Sequence, residues 1–403
     1  MSREPLIGNQ DSENTGREPL IGNQDSGKIG REPGKDDHQG VSGKRAPRRG
    51  YTTGACAQAA TRAAALTVAI GYPPCNPAAE EETNIVCDTR GLVDVTLPNG
   101  ENAIFPMTMH DEGVVSVVKD AGDDPDITNG IQIFVCVVGR LDGQFYVDGA
   151  EGVGRVTLEG LPVKPGEAAI NPVPLKFIIK EAKRVLPLGA EVTISIPEGE
   201  ELASRTFNPK LGIVGGLSIL GTTGRVEPWS SAAYQQSLLP QLDVARAAGV
   251  QRPVLVPGAK GEKAALAAGF EPLAVVRTGN FAGMMLAAAR ERGMRQVVIL
   301  GHAGKVAKLA RGDFDTHSRH SPMPLDVLAE CAEAVGWKGN RARELLLLPT
   351  TEAALTRLVE AGAEGALVLE ETARRVAARV RDEYGITAEV ILTDGRGKIV
   401  GRA

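Results

Sequence analysis

The chain has few aromatic residues, no C-x-x-C pair and no long apolar run. Aromatics make up 4% of the 403 residues, so the core must rest on Val, Leu, Ile and Ala. No apolar run reaches the ~18 residues that a membrane span needs, and the polar segment from Met1 to Pro5 is unlike a secretory signal. The five scattered cysteines argue against a disulfide framework and a structural zinc site. We therefore expect a cytoplasmic protein with no membrane partner.

Basic residues are not in excess either. The formal net charge is −5, whereas a nucleic-acid-binding protein would show a basic stripe, so no nucleic-acid partner is expected. Hydrophobic residues make up 42% and charged residues 24%, which is ordinary for a globular protein. A chain of 403 residues is long for a single core, so more than one domain is expected.

A polar repeat occupies the first part of the chain. Arg-Glu-Pro-Leu-Ile-Gly-Asn-Gln-Asp-Ser stands at 3–12 and again at 17–26, and a third, broken copy begins at Arg31. The repeat has too few apolar residues to offset the entropy of ordering it, and solenoid repeats use longer and more numerous units. We predict a disordered extension over residues 1–47.

Residues 48–204 mix strand and helix patterns in no regular order, which predicts an α+β domain. Helices are expected at 54–70 and 171–186, the second opened by prolines at 172 and 174. Strands are expected at 84–88, 92–97, 103–107, 131–138 and 191–196.

Residues 205–403 show a regular strand–loop–helix pattern, which predicts an α/β, Rossmann-like domain with a parallel sheet. Strand-like runs at 211–214, 253–256, 273–276 and 297–300 each lead into a glycine-bearing loop. Helices are expected at 230–248, 282–292, 324–335, 340–347, 351–361 and 364–384, with a last strand at 389–392. The four loops should share the edge at which open α/β sheets bind ligands.

The segment Gly-Tyr-Thr-Thr-Gly at 50–54 precedes a run of small helix-forming residues. Thr52 and Thr53 stand where an N-cap side chain accepts a hydrogen bond from the first turn. Such a helix start can hold an anionic group. The alternative is a capped helix that packs closely on a sheet.

A second glycine-rich segment runs from Gly212 to Gly224. It fits neither G-x-G-x-x-G nor the P-loop pattern. The strand at 253–256 is followed by Pro257 rather than by a carboxylate, which argues against binding of NAD. The glycines and threonines would allow a small ligand to approach the backbone, although a plain tight connection is the alternative.

Histidines and carboxylates offer further candidates. His302 and Lys305 in Gly-His-Ala-Gly-Lys suit an anionic partner at a helix start, or His302 is a capping or core residue. The acidic loop lacks the pattern of an EF-hand, so its carboxylates could face a cation, supply a base or form a solvated turn. His317 and His320 have the spacing of two metal ligands, without an evident third. The four carboxylates of the acidic loop are Asp120, Asp123, Asp124 and Asp126.

Cys56 stands in the first turn of the opening helix. Thiol pKa values fall at such positions, which would favour reactivity. No histidine stands nearby in sequence, and the alternative is a small buried thiol.

Together these segments resemble the CbiD family, the cobalt-precorrin-5B C(1)-methyltransferases of anaerobic cobalamin biosynthesis. The resemblance includes Gly-Tyr-Thr-Thr-Gly at 50–54, Val-Lys-Asp-Ala-Gly-Asp-Asp-Pro-Asp at 118–126, Gly-Gly-Leu-Ser-Ile-Leu-Gly-Thr-Thr-Gly-Arg-Val-Glu-Pro at 215–228 and Gly-His-Ala-Gly-Lys at 301–305. It implies methyl transfer from S-adenosylmethionine to ring carbon 1 of a cobalt-bearing tetrapyrrole. The cobalt is then carried by the substrate, and no protein-held metal is expected.

The site residues are our own inference from the sequence pattern. We expect Asp124 and His302 to move a proton. Residues expected to bind the cofactor are Gly215, Gly216, Gly221, Thr222, Thr223, Gly224, Thr278, Gly279 and Asn280. Residues expected to bind the tetrapyrrole are Thr52, Thr53, Gly301, Lys305 and His317. An NAD-dependent oxidoreductase and a non-catalytic tetrapyrrole-binding protein are the alternatives, and a homo-oligomer stays open.

Overall fold

A computed structural model describes residues 45–71 and 89–403 of the chain. The polar repeat, the predicted strand at 84–88, and Cys75 and Cys87 lie outside those residues. The strands are β1 Gly50–Tyr51, β2 Thr89–Thr96, β3 Asn102–Met109, β4 Val115–Val118, β5 Gln132–Gly139, β6 Phe145–Gly149, β7 Gly152–Val153, β8 Arg155–Val156, β9 Ala190–Ser195, β10 Ile213–Val214, β11 Gly216–Leu217, β12 Arg225–Val226, β13 Val254–Val256, β14 Val275–Arg277, β15 Gln296–His302, β16 Thr387–Thr393 and β17 Ile399–Arg402. The helices are α1 Thr53–Ala69, α2 Pro172–Val185, α3 Gly199–Ala203, α4 Ser231–Leu238, α5 Pro240–Ala247, α6 Ala259–Ala267, α7 Ala282–Glu291, α8 Ala303–Val306, α9 Leu325–Ala334, α10 Asn340–Glu344, α11 Thr351–Glu360 and α12 Ala363–Tyr384.

A six-stranded mixed sheet, in the order β2-β3-β4-β5-β9-β6, organises the N-terminal half. Strand β5 alternates strictly, and its inward residues Ile133, Val135 and Val137 are buried. Because side chains alternate between the faces of a strand, this pattern places the core on one face of the sheet.

Helix α1 packs in that core and is buried on nearly every side. Its residues from Ala55 to Ala65 are mostly alanines of negligible exposure. The small side chains let the helix lie close to its neighbours, so the helix needs no polar face. The predicted helix at 54–70 is therefore confirmed, and so is that at 171–186, with Pro172 in the first turn of α2.

The second sheet has five strands in the order β14-β13-β15-β16-β17. The first four pair in parallel, and β17 adds an antiparallel edge. Leu255 and Ile299 face a large core that α7, α9 and α12 help to form, whereas Val254, Val256 and Leu300 face α6 on the other side. Apolar residues cover both faces, as a parallel sheet requires.

Three of the four predicted parallel strands are confirmed as β13, β14 and β15. The fourth was wrong: residues 213–214 form β10, which pairs antiparallel with β8 outside the five-stranded sheet. The predicted helix at 230–248 is two helices, because Pro240 cannot donate to the preceding turn and begins α5. The division into domains at 204–205 and the Rossmann-like layout stay predictions.

Candidate functional site

Residues 48–54 run between two segments that are distant in the sequence. On one side lies the acidic loop of residues 119–126. Tyr51 donates its N–H to the carbonyl of Asp120 at 2.7 Å, and Asp123 donates to the carbonyl of Arg48 at 2.9 Å. The acidic loop is therefore paired with the chain that enters α1.

Residues 220–227 lie on the other side. Gly50 pairs with Val226 in the β1–β12 ladder, and the N–H of Thr52 donates to the carbonyl of Gly224 at 3.1 Å. Gly54 donates to the carbonyl of Leu220 at 2.9 Å. Three motifs from separate parts of the sequence thus meet along residues 48–54, and we call this arrangement the junction.

Two glycines at the junction have no room for a side chain. A Cβ on Gly50 would overlap the backbone of Ala121, and a Cβ on Gly122 would overlap the carbonyl oxygen of Arg48. Gly122 also has a φ of +70°, which disfavours other residues. These glycines allow the two backbones to lie in direct contact, so their role is in the fold.

The hydroxyl groups predicted to bind substrate are hydrogen bonded inside the junction. Thr52 is the N-cap of α1, and its Oγ1 accepts from the N–H of Ala55 at 3.2 Å. Thr53 Oγ1 donates to the carbonyl of Ser218 at 3.1 Å and accepts from the N–H of Leu220 at 2.9 Å. Both threonines are buried. Their position confirms the capped helix, while substrate binding by them stays a prediction.

The carboxylates of the acidic loop point to different partners. Asp120 accepts from the Arg48 guanidinium at 2.8 Å, and Asp123 Oδ2 accepts from the Arg48 N–H at 2.7 Å. Asp126 Oδ2 lies 2.7 Å from the buried ammonium of Lys119. All four carboxylates have hydrogen-bond partners, and Asp124, whose partner is a backbone N–H, differs from Asp120 and Asp126 in that no cationic side chain of the described residues pairs with it.

Asp124 is half-buried and lies next to the chain that follows residues 220–227. Its Oδ1 accepts from the backbone N–H of Trp229 at 3.0 Å, and Oδ2 has no hydrogen bond in the part of the chain that the structure describes. Burial raises the pKa of Asp124 above its ordinary value, and the Trp229 N–H opposes this less strongly. A carboxylate in this state suits a general base.

Arg225 brings a positive charge to the junction, but it is already paired. Its Nε donates to Glu101 Oε2 at 3.0 Å, and its guanidinium lies 4.2 Å from the centre of the Tyr51 ring. Tyr51 also packs on Phe105, with ring centres 4.3 Å apart. Arg225 thus stabilises the junction, and Glu101 neutralises its positive charge.

A second group of predicted residues lies where the parallel strands β13, β14 and β15 end. We call it the sheet edge and define it by Thr278, Asn280, Lys305 and Thr316. Lys305 donates to Asn280 Oδ1, and Thr316 donates its N–H to the Asn280 carbonyl at 2.9 Å. Thr278 donates its N–H to the carbonyl of Val256 at 2.8 Å. The cavity beneath these residues has a volume of about 20 Å³, which is room for about one water molecule.

A partly buried charge cluster borders the sheet edge. Arg277 donates to Glu262 Oε2 at 2.5 Å, and Lys210 pairs with the same carboxylate. Burial lowers the pKa of Lys210, and the Glu262 partner opposes the shift. The cluster fixes the segment at 208–211 against the start of α6, and the charge of Arg277 is paired within it.

His302 caps the short helix α8. Its Nδ1 accepts from the N–H of Gly304 at 3.0 Å, so its Nε2, which lies 2.7 Å from Glu352 Oε2, is the protonated nitrogen in the neutral ring. The capping alternative is therefore confirmed, and proton movement by His302 stays a prediction.

His317 and His320 do not form a metal site with a third residue. Their ring centres are 5.8 Å apart, and His317 Nδ1 accepts from the N–H of Arg319 at 3.1 Å. Within residues 45–71 and 89–403, no group of three or more His, Cys, Asp or Glu side chains could hold a metal ion.

The structure sorts the predicted residues into the two groups. The junction holds Thr52, Thr53, Asp124, Gly221, Thr222, Thr223 and Gly224, whereas the sheet edge holds Thr278, Gly279, Asn280, Gly301, His302 and Lys305, with His317 next to Thr316. Gly216 pairs in β11 with β7, away from the five-stranded sheet, and Gly215 precedes it. The expectation that residues 215–224 share the sheet edge with the other loops was wrong, because it depended on a parallel strand at 211–214.

Two residues of the junction were not predicted. Lys119 is charged yet buried, and Trp229 lies just beyond residues 220–227. Only the low number of aromatics in the chain, among them two tryptophans, could have drawn attention to Trp229.

The three cysteines that the structure describes are in two states. Cys56 and Cys331 are free and buried. Burial raises the pKa of the Cys56 thiol to about 12, which confirms the alternative of a small buried thiol. Cys136 in β5 is disulfide-bonded, which the spacing of the cysteines did not predict.

Comparisons with known proteins cover most of the chain. Two family models match it, CbiD over residues 41–228 and CbiD, C-terminal domain, over residues 315–403. A protein of Moorella thermoacetica named cobalt-precorrin-5B C(1)-methyltransferase is 44% identical over 312 residues, covering 76% of this chain and 81% of that protein. A protein of the same name from Methanocaldococcus jannaschii is 39% identical over 365 residues, covering 87% and 95%.

A solved structure is also similar. It is described as cobalamin biosynthesis protein (cbiD) from Archaeoglobus fulgidus, is 29% identical, and covers 67% of this chain and 82% of its own, with a TM-score of 0.36. No helix in the described ranges is both long and apolar enough to cross a membrane.

Proposed function

This chain belongs to the CbiD family and is a methyltransferase, and on that premise we propose that it methylates C-1 of cobalt-precorrin-5B with S-adenosylmethionine as donor. The product would be cobalt-precorrin-6A in anaerobic cobalamin biosynthesis. The observation that carries the proposal is the shared name of relatives that are 39–44% identical over most of both chains.

The donor supplies a methyl group from a sulfonium, whose electron pair stays on sulfur while the ring carbon provides the pair for the new bond. The protein therefore needs no nucleophile of its own. Its contribution is to hold two ligands in line, which can supply ~7–11 kcal/mol of the barrier. Residues on rigid elements suit this task, and both the junction and the sheet edge stand on buried strands and helices.

Asp124 is the residue that we propose as the general base. When C-1 is methylated, the ring must lose a proton to restore its conjugation, and the unbonded Oδ2 can accept it. The raised pKa of Asp124 brings the carboxyl closer to neutral pH, where a base and its conjugate acid exchange most effectively. The Trp229 N–H holds the other oxygen in place.

The residues of the sheet edge fit the donor molecule in part. Ligands of open α/β sheets lie at the carboxyl ends of parallel strands, and Thr278 and Asn280 place buried polar groups there. A Cβ on Gly258, in the loop after β13, would meet open space. Because the cavity holds about one water, we propose that the cofactor lies across these loops rather than beneath them.

The alternatives have weaker support. For an NAD-dependent oxidoreductase, the strands β13, β14 and β15 end at Val256, Arg277 and His302, and none of these supplies the carboxylate that binds a ribose. A non-catalytic tetrapyrrole carrier would have no need of a half-buried carboxylate with a raised pKa at its site.

The test is to incubate the purified protein with cobalt-precorrin-5B and methyl-labelled S-adenosylmethionine. We expect one label per ring, located at C-1 by NMR of the product. Ring binding without transfer would support the carrier instead. Label on another ring carbon would contradict the assigned position, and turnover that requires NAD would contradict methyl transfer.

A further inference from the structure

Trp229 has an unusual backbone conformation. Its φ is +59°, and no other residue apart from glycine has a positive φ in the part of the chain that the structure describes. A side chain as bulky as indole is disfavoured in this left-handed region, because its Cβ crowds the backbone. Such strain persists only where the surroundings hold it, and it often marks a functional residue.

The surroundings that hold Trp229 are visible at the junction. The Asp124 carboxylate accepts from its N–H at 3.0 Å. The next residue, Ser230, caps α4 by accepting from the N–H of Ala233 at 3.1 Å. The left-handed residue therefore connects β12 to α4 and ties the end of this segment to the acidic loop.

The indole side chain of Trp229 adds little to the packing of the protein. It is 44% exposed, and within the described residues it makes no hydrogen bond, ring contact or cation–π contact. The other aromatic residues nearby differ, since Tyr51 packs between Phe105 and Arg225. The chain thus maintains a strained backbone for an indole that does not complete the core.

We propose that Trp229 is a substrate-contact residue, whose indole packs against the face of the cobalt-bearing tetrapyrrole. This inference rests on the proposed function. Flat conjugated rings stack in an offset arrangement on aromatic side chains, and the indole N–H could also donate to a carboxylate of the ring substrate. The bond from Trp229 to Asp124 then fixes the stacked ring next to the proposed base.

The strain provides a test that separates this role from a structural one. Trp229→Gly removes the indole and also relieves the left-handed strain, because glycine adopts positive φ without a steric penalty. We expect a Tm that is unchanged or higher, together with a KM for cobalt-precorrin-5B that is raised roughly tenfold, as loss of ~1.4 kcal/mol would give. The Kd for S-adenosylmethionine should stay within about twofold, since the donor is placed elsewhere, and Trp229→Phe should recover most of the affinity for the ring.

A fluorescence measurement tests the contact without turnover. The chain has two tryptophans, Trp229 and Trp337, so Trp337→Phe leaves Trp229 as the reporter, and Trp229→Phe leaves Trp337. We expect cobalt-precorrin-5B to quench the tryptophan fluorescence of Trp337→Phe much more strongly than that of Trp229→Phe. Equal quenching of both, or stronger quenching of Trp337, would overturn the proposal.

Failure of the proposed function and failure of the role proposed for Trp229 give different results. If the wild-type protein transfers no methyl group, the proposed function fails. If the wild type is active but Trp229→Gly has an unchanged KM, or loses several degrees of Tm, only the role of Trp229 is refuted.

Discussion

The ammonium of Lys119 lies 2.7 Å from Oδ2 of Asp126, although the Lys119 side chain is only 2% exposed. Asp126 Oδ1 in turn accepts from the Thr128 hydroxyl at 2.7 Å and from its N–H at 2.8 Å. Burial acts to raise the pKa of Asp126, but the Lys119 charge and these hydrogen bonds outweigh it, so the pKa lies below its ordinary value. The acidic loop is therefore anchored to the core by an ion pair whose lysine is buried and whose aspartate is partly exposed.

Removing Lys119 should destabilise the protein strongly. Lys119→Met keeps much of the side-chain volume but leaves Asp126 without its cation, so we expect a loss of about 3–5 kcal/mol in the free energy of unfolding. Arg48→Met is the matched control, since it breaks an exposed, solvent-screened pair with Asp120 in the same loop and should change the free energy of unfolding far less. Denaturant unfolding measures both, and equal losses would contradict this account.

The same pair predicts a dependence of stability on pH. A carboxyl whose pKa is lower in the folded than in the unfolded state stabilises the protein at neutral pH. This contribution should be lost as the pH falls from about 4 through the lowered pKa of Asp126. Thermal unfolding of the wild type and of Lys119→Met should therefore converge at acidic pH, and a constant difference would refute the assignment.

Asp124→Asn should remove the proposed base and keep the fold. The amide oxygen can still accept from the Trp229 N–H, so we expect an unchanged Tm and a kcat lowered about 100-fold or more. In the wild type, kcat should fall at acidic pH with an apparent pKa above that of an ordinary aspartate, because burial raises the pKa of Asp124. Asp111→Asn, an exposed residue outside the junction, should behave like wild type. Near-normal turnover in Asp124→Asn would assign the base to another group.

Gly221 should tolerate no side chain. Its φ is +128°, and a Cβ there would overlap Thr52, the N-cap of α1. We expect Gly221→Ala to lower the free energy of unfolding by about 2–4 kcal/mol. Gly215→Ala, in the same segment with positive φ but open space around it, should cost only about 1 kcal/mol. A loss of S-adenosylmethionine affinity in Gly221→Ala without a loss of stability would favour a direct role in binding.

The buried thiols should be unreactive in the native protein. Only the thiolate is a nucleophile, and Cys56 is buried with a pKa of about 12. We expect iodoacetamide at pH 8 to leave Cys56 and Cys331 unmodified until the protein is unfolded, as peptide mapping by mass spectrometry would show. Rapid native labelling of Cys56 would restore it as a candidate for chemistry.

Lys305→Met tests the sheet edge. Loss of its ammonium removes a charge that could bind a ring carboxylate, and leaves Asn280 Oδ1 with the Thr316 hydroxyl as its remaining donor. We expect the KM for cobalt-precorrin-5B to rise roughly tenfold, with weaker binding of S-adenosylmethionine by calorimetry. Lys260→Met, an exposed lysine in the first turn of α6, is the control. If the two variants have the same kinetics, the sheet edge is not a ligand site.

Much of the fold follows from local pattern. Helix α1 was predicted because Thr52 caps it and alanines fill it, and β13, β14 and β15 because short apolar runs lead into glycine-bearing loops. The family was also identified from motifs, because several long segments in order are far more specific than one glycine loop. These features depend on neighbours in sequence, so the sequence alone determined them.

Only the tertiary structure decided how the motifs are distributed. The run at 211–214 has the composition of a parallel strand, yet its partner is β8, and hydrogen bonding between distant segments is not encoded in local periodicity. The same holds for Asp124, whose chemistry depends on burial and on a bond from Trp229, more than a hundred residues away. The four aspartates of the acidic loop look alike in the sequence. Their roles differ only because the fold places Arg48, Lys119 and Trp229 next to different members of the set.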